Sequence, residues 1–373
     1  MKSQLQTEKS TDEPRVFISY TSKNLGIAAR IDKAMRTNRL KPVWDRDLSQ
    51  GEDFAEEIKR FIAFAHIFLP IITTEAVQAG WVHQEIGYAL ALRVPILPVT
   101  LGDVLPDKMI RKYQALRLNE LPTMSELTSN LPRSKFDTLI RRYSRPENAL
   151  YENAQFAVDR AKLFVEYAAN VLDLGYTGCV RQKGALSSFH IPKRGSPVKE
   201  WDDRMGIFLR DPGHRELQMQ EREGLELHAA QSGCRLIINP YLLYADYGEK
   251  ARISRLGTLV KFLESRGGRK AQVVINPRMH NETSVTLVGN WFAAESASAT
   301  VAQGYKQTIF TRHAPTVQRK IDYFDQEFEG LLTELGWTPR TSRERAIKLL
   351  KDEIRKARKA MRNPASSKAK DSE

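Results

Sequence analysis

Three short apolar runs decide what this chain can become: Arg15-Val16-Phe17-Ile18-Ser19-Tyr20, Ile67-Phe68-Leu69-Pro70-Ile71-Ile72 and Val94-Pro95-Ile96-Leu97-Pro98-Val99. Runs of this length between segments of helical periodicity read as buried strands of a parallel sheet. Leu25 to Arg39 is one such segment, with Leu25, Ala28, Ile31, Ala34 and Met35 three and four apart. Lys41-Pro42-Val43-Trp44 adds a short strand, with Asp45 at its C-terminal end. The turn-forming loop from Arg46 to Asp53 contains Gly51, and Phe54 to Ile62 then reads as an amphipathic helix with Phe54, Ile58, Phe61 and Ile62 on one face. Between the last two strands, Val82, Ile86, Ala89 and Leu90 give another helix an apolar face. This alternation predicts an α/β fold, a parallel sheet with helices on both faces. In such sheets ligands bind at the carboxyl ends of the strands. Tyr20 through Ser22, Asp45 through Gly51, and the segment from Ile72 to Glu85 converge there.

Trp81 and Glu85 lie four apart, on one side of the last helix near its start. They admit two readings: an ordinary surface glutamate beside a half-buried indole, or a carboxylate whose pKa a large aromatic raises next to a stacking surface for a flat ligand. His83 falls on a different side of that helix and reads as structural. None of the other six histidines joins it in a metal-like or triad-like arrangement.

The 373 residues suffice for two domains, and a 41% hydrophobic fraction supports a sizeable core. No window reaches the ~20 apolar residues of a membrane span, and the first ten residues lack the apolar core of a secretory signal. The only cysteines, Cys179 and Cys234, lie far apart and lack metal-ligand spacing. The expected setting is therefore a reducing, cytoplasmic one, with no disulfide framework and no zinc site. A net charge of +13 admits an acidic partner such as nucleic acid or a nucleotide. Nearly half of the excess sits between Thr341 and Glu373, where eleven Lys/Arg face five Asp/Glu.

Residues from about 14 to 140 resemble a TIR (Toll/interleukin-1 receptor) domain. The resemblance is carried by Arg15-Val16-Phe17-Ile18-Ser19-Tyr20, the Val43-Trp44-Asp45 strand end, the loop reaching Gly51, the Ile58…Ile62 helix, and Trp81-Val82-His83-Gln84-Glu85, which matches the family's Trp, three residues, then Glu. It implies a flavodoxin-like parallel sheet. It also implies one of two activities: cleavage of NAD between nicotinamide and ribose, as in some bacterial and plant members, or assembly of signalling complexes through TIR–TIR contacts. Glu85 occupies the position of the catalytic glutamate in enzymatic members, which favours an NAD glycohydrolase or cyclase. NAD is then a substrate, and no cofactor is implied. By the same resemblance Trp81 flanks the site, and Tyr20, Ser22, Asp45, Gly51 and Phe54 line it. Where the family often carries a basic residue after the first strand's aromatic, this chain has Thr21 and Ser22, leaving Lys23 or Arg46 for phosphate contacts.

Residues 1–13 read as a disordered tail, and 141–149, with Ser144-Arg145-Pro146, as a linker. Residues 150–338 read as a second α/β domain. A helix is expected from Glu147 to Leu174 with Gly175 as its C-cap. Strands are expected at Cys234–Pro240, Gln272–Pro277, Ser284–Phe292 and Lys306–Thr311, and a helix over Ala251–Glu264. Two strands end in Asn-Pro, which forms turns or shapes a ligand crevice. This half is faintly similar to phospholipase-D-like folds, but no histidine is followed two residues later by the Lys which that family needs. It is therefore expected to sense or regulate without catalysing. The basic terminal segment 341–373 carries Ile347, Leu350, Ile354, Ala357 and Met361 at helical spacing: a helix docked on its own domain, a self-association seam, or a nucleic-acid contact.

The leading expectation is an effector that degrades NAD when its C-terminal domain detects a trigger, nucleic acid or nucleotide among the candidates, or drives homo-oligomerisation. By analogy the pairing implies bacterial anti-phage defence. The rivals are a non-catalytic TIR scaffold and a nucleic-acid-binding regulator.

Overall fold

The first apolar run forms β1 (Arg15–Ser19), buried along its whole length. The computed structural model describes residues 13–44, 54–104, 109–144, 150–184, 187–197, 212–242, 248–280, 283–298 and 306–362. They divide into two units, Met1–Leu150 with Arg312–Arg319, and Tyr151–Thr311 with Lys320–Glu373.

In the first unit β1 is followed by α1 (Leu25–Thr37), β2 (Lys41–Val43), α2 (Phe54–Ala63), β3 (Ile67–Ile72), α3 (Thr74–Gln78), α4 (Gly80–Ala91) and β4 (Val99–Leu101). β5 (Leu116–Leu118), α5 (Met124–Asn130) and α6 (Arg133–Tyr143) complete it. The five strands form one parallel sheet in the order β2-β1-β3-β4-β5, the flavodoxin-like arrangement. Phe17 and Phe68 stack at 5.9 Å between neighbouring strands. Val16, Ile18 and Leu69 belong to a core with Ile31, Met35 and Phe136. Each such side chain contributes ~1.5–3 kcal/mol by leaving water. Asn38 ties α1 to α5 by donating to the carbonyls of Thr128 and Leu131, at 2.9 and 2.8 Å.

Two boundaries differ from expectation. The run Val94–Val99 does not form a strand along its length: the ladder begins at Val99, and Ile96 makes one isolated bridge to Phe68. Pro95 and Pro98 have no N–H, so this stretch pairs mainly through carbonyls, with Phe68 N donating to Pro95 O. α1 stops at Thr37 rather than Arg39 because the chain reverses through Arg39 at φ +56°.

The second unit carries β6 (Glu152–Ala154), α7 (Ala157–Asp173), β7 (Val180–Gly184), α8 (Pro212–Ser232), β8 (Cys234–Ile238), α9 (Gly248–Glu264) and β9 (Ala271–Ile275). β10 (Thr283–Val288), β11 (Phe292–Ser298), β12 (Lys306–Thr311) and α11 (Pro339–Arg362) follow, with α10 (Ala314–Glu334), which belongs to this unit from Lys320 onward, preceding α11. The sheet order is β6-β12-β11-β10-β7-β8-β9, with β7, β8 and β9 parallel and the rest antiparallel.

The helix expected from Glu147 starts only at Ala157, because Glu152–Ala154 joins the sheet edge beside β12. Gly175 closes it as expected, at φ +75°, with Gly175 N donating to Leu172 O and Tyr176 N to Val171 O. The single strand expected over Ser284–Phe292 is a hairpin whose turn contains Gly289 at φ +47°. A Cβ on the neighbouring Gly178 would stand 2.6 Å from the Gly289 backbone, so only glycine lets these two segments touch. Along α11, Ser342, Ala346, Leu350, Ile354 and Ala357 are buried, with the helix against α9 and β9. The terminal helix thus docks on its own unit, while Met361, expected in the seam, is 43% exposed.

Two histidines in the first unit are held neutral. Nδ1 of His66 accepts from Arg15 N at 3.0 Å, and its buried Nε2 has no partner. Burial first, then the Arg15 guanidinium, keeps its pKa well below the ordinary value. His313 sits 2.7 Å from Thr316 Oγ1, and burial lowers it from 6.5 to about 4. The unfolded chain therefore takes up these protons at a higher pH than the folded one. Stability should be full above pH ~6.5 and fall as pH drops from there towards ~4, His313 alone accounting for roughly 3 kcal/mol. The urea midpoint measured from pH 7.5 to 4 checks this; a flat midpoint contradicts it.

Candidate functional site

The sheet order reverses between β1 and β3, and a cavity of about 250 Å3 opens there. Its lining combines Phe17 to Tyr20 at the end of β1, Ser22 in the turn beyond, Ile58 of α2, and Trp81 and Glu85 of α4. Glu85 is only 8% exposed, whereas Trp81, one turn earlier, is 44% exposed. The carboxylate thus lines the cavity from within the protein, and the indole stands at its mouth. The surface-glutamate reading fails on burial. α4 can present both because Val82, Ile86 and Ala89 bury the adjoining side of the helix.

Tyr20 is buried with its ring edge-on to Trp44, centroids 5.5 Å apart. Ser22 is exposed at the beginning of a short 3-10 turn. Asn24 closes that turn: its amide donates to Thr21 Oγ1 at 2.7 Å and to Thr73 Oγ1 at 2.9 Å. Thr73 in turn caps α3 by accepting from Ala76 N. Asp45, Arg46 and Gly51 lie outside the described residues. Phe54 is the first residue of α2, and its side chain also lies outside them. Nε2 of His83 bonds Val77 O at 2.8 Å, fastening α4 to α3, which is the structural role expected of it.

Ser19 escaped the sequence reading. It is 2% exposed and lines the same cavity, and its Oγ has no hydrogen-bond partner. A hydroxyl directly after the apolar run Val16-Phe17-Ile18 was the available signal. A buried polar atom of this kind costs stability unless a ligand meets it.

In the second unit the two Asn-Pro strand ends are turns. Asn239 donates to the carbonyls of Pro277 and Met279 and accepts from Tyr241 N, and Asn276 Oδ1 accepts from Arg278 N. Buried Gln182, Ser188 and Glu221, with half-buried Arg160, bond one another, so this cluster holds α8 to the sheet.

The first unit is thus a flavodoxin-like α/β domain with a crevice at the switch point of its sheet and a carboxylate inside it. Residues 16–131 match the model of the TIR domain family, so the chain carries a TIR domain over that segment. TIR domains include NAD-cleaving enzymes and signalling proteins and commonly self-associate, and the match supports a function of this general kind. A search of curated proteins found no match for the chain. Among the described residues no helix is long and apolar enough to cross a membrane.

Proposed function

We propose that the chain is an NAD glycohydrolase, with Glu85 as its catalytic residue. The observation that carries this reading is the burial of the Glu85 carboxylate in the switch-point cavity, with Trp81 at the mouth. About 250 Å3 is smaller than a pocket for a whole drug-sized ligand, so the cavity suits the nicotinamide–ribose end of a dinucleotide. Breaking the N-glycosidic bond leaves its electron pair on nicotinamide, which departs neutral and needs no general acid. The ribose gains oxocarbenium character, which the Glu85 carboxylate stabilises directly or through a ribose hydroxyl. Water then attacks the anomeric carbon, giving ADP-ribose and one released proton. Attack by an adenine nitrogen of the same molecule would give the cyclic product instead. Trp81 offers a face for stacking the planar leaving group.

The second unit is proposed as the regulatory part, acting through assembly of TIR domains, in a defence setting. The test is release of free nicotinamide from NAD by purified protein at high concentration. Ser19 adds an independent check, since its hydroxyl would bond substrate. Ser19→Ala should slow turnover about tenfold while leaving stability equal or higher, because a buried unpartnered hydroxyl is removed. Unchanged kinetics would take Ser19 out of the site.

A further inference from the structure

A second cavity, of about 1320 Å3, lies elsewhere in the first unit. It is bounded by Leu97 just before β4, by the approach to β5, whose first residue is Leu116, and by α6. These are the amino ends of parallel strands, so the groove lies on the sheet edge opposite the Glu85 crevice. Arg111, Lys112, Arg117, Lys135 and Arg142 line it, and among the described residues no Asp or Glu does. None of these five cations makes an ion pair; Lys135 donates to Asn130 O. All five are exposed. Five like charges in one concavity repel one another and focus a positive field, a tension that anions relieve.

Aromatic surface accompanies the charge. Tyr113 and Tyr143 line the groove half-buried, and burial pushes both phenols up. Lys112 Nζ lies 5.3 Å from the centre of the Tyr113 ring. Cations for phosphates beside rings for bases are the combination that single-stranded nucleic-acid surfaces use. The groove exceeds the ~300–1,000 Å3 of ordinary small-molecule pockets, so one mononucleotide would leave it largely empty.

We infer that this groove binds phosphate-linked nucleotides, two or more at a time, independently of the Glu85 crevice. The source is a free short oligonucleotide or a segment of a longer single strand.

The test is fluorescence anisotropy of a 5′-labelled single-stranded 12-mer with the full-length protein. Substituting Arg111, Lys112 and Arg142 together by Ala, all exposed positions, should weaken binding at least about tenfold. It should also flatten the slope of log K against log salt by about 2. Tyr113→Ala should weaken binding about tenfold, whereas Tyr113→Phe keeps the ring and the affinity. Glu85→Gln should bind as wild type. Displacement by an unlabelled dinucleotide identifies the free ligand as the source, and displacement only by the oligomer identifies a strand. Unchanged binding in the triple variant overturns the inference, as does inorganic polyphosphate competing as well as the oligonucleotide, or loss of binding in Glu85→Gln.

Discussion

Glu85→Gln should reduce nicotinamide release from NAD by roughly a thousandfold, the scale on which removal of one preorganised electrostatic group costs an enzyme. The substitution keeps the volume and much of the hydrogen-bonding shape of a side chain that is 8% exposed, and deletes only its charge. Substrate binding should therefore change less than turnover, and most of the loss should fall on kcat, because the interaction removed strengthens as positive charge passes to the ribose. Folding should not suffer, since a buried ionisable group is replaced by a neutral isostere. Glu85→Ala should lose activity equally. The measurement is nicotinamide production at saturating NAD, with thermal unfolding as the folding control. A glutamine variant retaining a tenth of the wild-type rate would remove Glu85 from the chemistry. An inactive wild type that forms ordered assemblies would favour the scaffold.

Leu350→Ala should destabilise the second unit by ~2–5 kcal/mol, the cost of a buried leucine plus the cavity it leaves. Leu350 is fully buried at the middle of the face by which α11 packs on α9 and β9. That attachment has polar reinforcement: Arg343 donates to Leu263 O at 2.9 Å, and Lys351 meets Glu264 at 2.6 Å. Val273 N donates to the buried Ser342 hydroxyl. The urea midpoint of the variant should fall, with no change of mass in analytical ultracentrifugation. The opposite pattern, an altered oligomer with an unchanged midpoint, would return α11 to the role of a self-association seam.

The first half of the chain was far more legible than the second, for reasons visible in particular residues. Its strands, Val16 to Ser19 and Ile67 to Ile72, are buried on both faces and read as unbroken apolar runs, so pattern and structure agree. Where proline interrupts such a run, at Pro95 and Pro98, hydrophobicity persisted but hydrogen-bonding capacity did not, and the strand moved to Val99. β6 escaped because Glu152, Asn153 and Ala154 carry no strand pattern; pairing with β12 defines them. Gly289 and Asn290 punctuate what hydropathy alone joined into one strand. At the site, Trp81 and Glu85 were found by helical spacing. Ser19 was missed because its importance lies in what it fails to bond, which only three dimensions reveal.

The amide of Asn24 joins the turn after β1 to the start of the segment after β3, touching Thr21 and Thr73 together. Two stretches forty-nine residues apart in sequence are thereby fastened into a single corner beside the cavity. That corner behaves as a braced joint: the Asn24–Thr73 contact clamps the two stretches together, while the Asn24–Thr21 contact keeps the turn in the shape that presents the clamp.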